Sequence, residues 1–77
     1  MVIKENLKRY IQEQLKKTAS PLFIERTFNV IDASSNDKES LLKSSERIGN
    51  MILLFIDRNL AKEVFENLKT IIENSNK

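Results

Sequence analysis

The side chains of this chain that could do chemistry are carboxylates, amines and hydroxyls, because the sequence contains no His and no Cys. That absence removes the commonest general base, the strongest nucleophile and the nitrogen and sulfur ligands of transition metals. The carboxylate pairs Glu63/Glu66 and Glu39/Glu46 are interleaved with Lys62, Lys69 and Lys43, which is the pattern of a solvated helix face rather than of an acid–base pair. No Ser has a base beside it in sequence. A single Gly, Gly49, leaves no phosphate-cradling loop. We expect no enzyme activity and no cofactor.

Three further constellations could bind a ligand. Asp32-Ala33-Ser34-Ser35-Asn36-Asp37 starts like a calcium loop, with oxygen side chains at positions 1, 3 and 5. It then places Asp37 where the sharp turn needs Gly and Lys43 where the bidentate Glu belongs, so a capped interhelical loop is the better reading. The amines Lys4, Lys8, Arg9, Lys16 and Lys17 gather in the first segment and make it the candidate anion contact, although Glu5 and Glu13 dilute it. A helix-turn-helix can be laid over residues 21–48, with Lys38, Lys43, Ser44 and Arg47 toward a groove. Its connection is long for that motif and lacks a turn glycine. A small nucleic-acid-binding regulator is therefore the alternative function, not the first.

The elements that would position these groups follow from apolar spacing. Ile3, Leu7, Tyr10, Ile11 and Leu15 recur at threes and fours and predict a helix over 3–18. Ser20-Pro21 reads as an N-cap followed by a first helical residue and opens a second helix over 21–32. After the polar loop 33–37, where Asn36 and Glu39 resemble a capping box, a third helix spans 38–56 with Leu41, Ser45, Ile48, Ile52 and Phe55 on one stripe. Met51–Ile56 is apolar on every side and predicts a segment buried all round. A fourth helix covers 59–74, through Leu60, Val64, Phe65, Leu68, Ile71 and Ile72. The apolar phase runs unbroken across Asp57-Arg58-Asn59, so 38–74 reads either as two helices, with Asn59 capping the second, or as one long one.

The chain of 77 residues predicts a single helical domain over 1–77: all-α, a small antiparallel bundle of three or four helices, dimeric. The alternative is a small α/β unit with short strands near 27–32 and 51–57, disfavoured because a two-stranded sheet is barely stable alone. A domain this small often gains stability from disulfides, metals or self-association, and cysteine is absent. The stripe Ile48, Ile52, Phe55, Ile56 and Leu60 is the expected self-association surface, of a homo-oligomer or with another helical protein. The net charge of +2 is far from that of a strong nucleic-acid binder. The start lacks a basic region followed by an apolar run, and the longest apolar run, Met51–Ile56, is too short for a membrane span. The expectation is a cytoplasmic, non-catalytic interaction or regulatory module acting through helix–helix association.

Overall fold

The computed structural model describes residues 3–74. Four helices follow one another: α1 (Ile3–Leu15), α2 (Pro21–Asp32), α3 (Lys38–Phe55) and α4 (Arg58–Asn74). No strand occurs among the described residues, so 27–32 and 51–57 are helical and not the short strands of the α/β alternative.

The helix ends have local causes. α1 stops at Leu15, three residues before the expected end, and Lys16, Lys17 and Thr18 form a turn. Ser20 caps α2 as its sequence implies: its hydroxyl accepts from the Phe23 amide at 3.2 Å, with Pro21 at the first helical position. The cap of α3 is Asp37 rather than Asn36, its carboxylate accepting from the Ser40 amide at 3.1 Å. That carboxylate therefore serves α3. Asp32, at the other end of the loop, is ion-paired with Lys8 at 2.6 Å. Neither acid is left for a calcium loop.

The break between α3 and α4 falls at Ile56–Asp57. Ile56 leaves helical geometry at φ −128°, ψ −76°, and the Asp57 carboxylate accepts from the Leu60 amide at 2.8 Å. Residues 38–74 are thus two helices, capped by Asp57 and not by Asn59. An unbroken apolar phase could not reveal this, because the break is made by one side chain capturing an orphan amide at a helix start.

The helices form an antiparallel ring in which α1 packs on α2, α2 on α3, α3 on α4, and α4 closes on α1. Lys4 at the start of α1 reaches the end of α2, donating to the Ser34 carbonyl at 2.6 Å. Phe23 at the start of α2 meets Phe55 at the end of α3, edge to face at 6.3 Å. Tyr10 of α1 accepts from the Asn67 amide of α4 at 2.7 Å. Each helix sends one stripe inward: Ile3, Leu7, Ile11 and Leu15 from α1, Thr27 and Ile31 from α2, Leu41, Ser45, Ile48 and Ile52 from α3, and Ala61, Val64, Leu68 and Ile72 from α4. The buried hydroxyls are satisfied locally. Thr27 donates to the Ile24 carbonyl, Ser45 to the Leu41 carbonyl, and Ser44 bonds with Ser34. Every buried side-chain polar atom among the described residues has a partner.

α3 has 18 residues and α2 has 12. At 1.5 Å per residue α3 outruns its neighbour by about 9 Å. α2 ends and α3 begins at the same short connection; Ser34 bonded to Ser44 and Phe23 against Phe55 set their register, so the extra length falls at the N-terminal end of α3, over residues 38–43.

Candidate functional site

The C-terminal end of α3 carries the apolar run singled out above, and the expectation that it is buried all round is corrected. Only Ile52 is in the core. Met51 and Ile56 are half-buried. Leu53, Leu54 and Phe55 are 46%, 75% and 74% exposed, and Leu22, beside Phe23 on α2, is 59% exposed. A helix in a four-membered ring has neighbours on two sides and the core between them. The fourth side faces solvent, and here it is apolar.

Next to this ridge a groove of about 450 Å³ runs between α3 and α4. Gly49 and Ala61 form its floor, and Leu53 and Phe65 its apolar walls. Glu46 stands at one end, with Arg58 and Lys62 along the other half. Gly49 sits in mid-helix with an ordinary helical backbone, since no residue described has positive φ. A Cβ built there would meet the Phe65 Cβ at 3.4 Å and the Ala61 carbonyl oxygen at 3.8 Å. Alanine would therefore fit with little or no adjustment, although glycine costs a helix interior about 1 kcal/mol relative to alanine.

The expected self-association stripe divides on inspection. Ile48 and Ile52 are fully buried in the chain's own core and present nothing to a second protein. Ile56 and Leu60 are half-buried against the same core, and Phe55 alone is broadly exposed. Five residues on one helical phase do not share one environment: Phe55 is the last residue of α3 and meets the first turn of α2 through Phe23. Leu53, Leu54 and Leu22 were missed as surface residues. The available signal was the unusually long apolar run itself: six consecutive apolar residues exceed what one inward face can absorb.

The candidate anion contact is also divided. Lys4 is half-buried, its ammonium bonded to the Ser34 and Asp32 carbonyls at the C-terminal end of α2, where the helix dipole favours a cation. Lys8 pairs with Asp32 and lies 5.7 Å from the centre of the Phe28 ring. Lys16 pairs with Glu13 at 3.1 Å, and Lys16 and Lys17 lie beyond the end of α1. Arg9 remains on the outer face of α1. The five cations are brought to no common surface. Ser44, assigned to the groove-facing side of a helix-turn-helix, is buried and bonded to Ser34.

Two groups have displaced acidities. Burial pushes the Tyr10 phenol above its ordinary value, opposed by the Asn67 amide, which favours the phenolate, and reinforced by Glu63. The Ser40 amide holds the Asp37 carboxyl below its ordinary value. Both serve structure, one joining α1 to α4 and the other starting α3. No group of three or more carboxylates with metal-binding proximity occurs among the described residues, and no helix described is long and apolar enough to cross a membrane.

The fold is an all-α four-helix ring with an exposed apolar ridge at one end. Compared with protein-family models, curated proteins and solved structures, the chain matches none.

Proposed function

We propose that this protein is a small non-catalytic interaction module of the cytoplasm that acts by docking the C-terminal half of α3 onto another protein surface. The observation that carries the reading is the run Leu53-Leu54-Phe55 at the C-terminal end of α3, exposed together with Leu22 at the start of α2. These four side chains expose on the order of 450 Å² of apolar surface, within the range of the largest patches of monomeric proteins, which are often functional. Leaving three consecutive large apolar residues in water opposes folding economy unless something covers them. The lack of cysteine fits a reducing compartment.

The test places a photoreactive residue at position 54 and, as a control, at exposed Glu66 on α4, in the cells that make the protein. Adducts from position 54 and none from position 66 are the expected result. Equal labelling from both, or none from 54, would remove the reading.

A further inference from the structure

Gly49, the only glycine of the chain, is buried in the α3–α4 contact, where a methyl group would meet the Phe65 Cβ at 3.4 Å. Beside it the α3–α4 groove, lined by Leu53 and Phe65, opens to the outside. The groove is also polarised. Glu46 lies two turns before Leu53 on α3, about 10 Å away along the helix. Arg58 opens α4 just past the α3–α4 turn, beside Leu53 and at the opposite end from Glu46. Neither Glu46 nor Arg58 makes an ion pair with any described residue.

We propose that a second copy of this chain covers the groove. The two α3 helices run antiparallel about a two-fold axis near Asn50 and Leu53. Leu53 and Leu54 of each copy lie over the α3–α4 groove of the other, and each Glu46 faces the other copy's Arg58, with Lys62 beside it. This rests on the reading of the C-terminal end of α3 as a docking surface and adds its occupant. A two-fold contact must be self-complementary: residue i meets j where j meets i. A groove with an acid at one end, a base at the other, an apolar ridge and an apolar hole between them meets that condition on a single surface. The same mixed rim does not suit an anionic lipid surface, which selects cations around an apolar face. Nor does it suit a strongly acidic or basic partner.

The experiment is light scattering behind size-exclusion chromatography on the full chain, over about a hundredfold range of concentration, because dimer population follows mass action. The expected mass is twice 9.0 kDa at the upper end, falling toward 9.0 kDa on dilution. Glu46→Arg and Arg58→Glu should each weaken the dimer by about tenfold or more, since both symmetry-related pairs become repulsive. The double variant should restore it. Glu46 and Arg58 stand at opposite ends of one groove, so rescue reports a contact between copies. A wild-type monomer at every concentration, single reversals without effect, or a double variant without rescue overturns the proposal. The cross-link from position 54 separates the two claims. An adduct at twice the chain mass supports the second copy. An adduct at another mass overturns it and leaves the docking reading standing, and no adduct overturns both.

Discussion

Ile52 and Phe55 lie within one turn of each other on α3 and should answer truncation in opposite ways. Ile52 is fully buried among core side chains, so Ile52→Ala removes buried methylenes and leaves a cavity, at about 2–5 kcal/mol. A domain of 77 residues has about 4–12 kcal/mol of total stability at ~0.05–0.15 kcal/mol per residue, so this one change takes a large share of it. Phe55 keeps 74% of its surface in water. The quarter it buries, roughly 50 Å², is worth about 1 kcal/mol at ~25 cal/mol per Å². The edge-to-face contact with Phe23 adds about 0.5 kcal/mol at such an exposed site. Alanine's better helix propensity returns a similar amount, about 0.5 kcal/mol. Phe55→Ala should therefore cost about 1 kcal/mol, several times less than Ile52→Ala. Urea titrations followed by far-ultraviolet circular dichroism, at low and equal protein concentration, give both values as midpoint shifts. A cost for Phe55→Ala equal to that of Ile52→Ala under dilute conditions would mean that Phe55 is covered in the lone chain, and would refute the exposed ridge. A cost that grows with protein concentration would place Phe55 at the edge of an interface between copies.

Asp57→Ala should cost about 1 kcal/mol in the same titration, because it orphans the Leu60 amide at the start of α4, and Asp57→Asn should recover most of it; equal losses in the two would show that the cap is not what holds the α3–α4 break. Tyr10 is the only tyrosine and there is no tryptophan, so its phenolate absorbance can be followed alone; the midpoint should lie above 10, and Asn67→Ala should raise it further by removing the donor that favours the phenolate. A fall on Asn67→Ala would contradict the bond between α1 and α4. The Asp37 carboxyl is held below 3.8 in the folded chain, so its contribution is fully present above that value and is lost as pH falls through the lower folded value; Asp37→Asn should make the acid limb of a thermal-midpoint profile shallower, and an unchanged limb would remove Asp37 as a source of acid sensitivity.

The parts of this fold that are written in short range could be read from the sequence. Ser20-Pro21 starts α2 where its chemistry says it should, and the four-residue recurrence Ile3, Leu7, Ile11 and Leu15 is the inward face of α1. The end of α1 was placed too late, since Lys16, Lys17 and Thr18 are compatible with helix and nothing local forbids it. The α3–α4 break was visible only as a choice, because Ile52, Ile56, Leu60 and Val64 keep helical phase across a turn that one carboxylate decides. The docking surface was half legible. The run Met51–Ile56 drew attention to the exposed end of α3, yet whether Ile48 or Leu54 faces outward depends on which sides of α3 its neighbours cover, which is a matter of how the elements pack. The placement of the cations of the first segment was hidden for a similar reason: Lys4 and Lys8 are drawn to the end of α2, a neighbour that α1 alone does not supply.

The order in which the helices touch has a consequence for how the chain finds this shape. α3 and α4 are joined by Ile56 and Asp57 alone, so their pairing closes the smallest loop in the molecule and carries little entropic penalty. Contacts of α1 with α2 and of α2 with α3 are also between sequence neighbours. The closure of α1 on α4, spanning the 57 positions from Tyr10 to Asn67, is the one long-distance step. Helical topologies dominated by such local contacts fold in microseconds to milliseconds. The groove between α3 and α4 exists as soon as those two helices pair. Two nascent chains could meet through it before either has closed its ring.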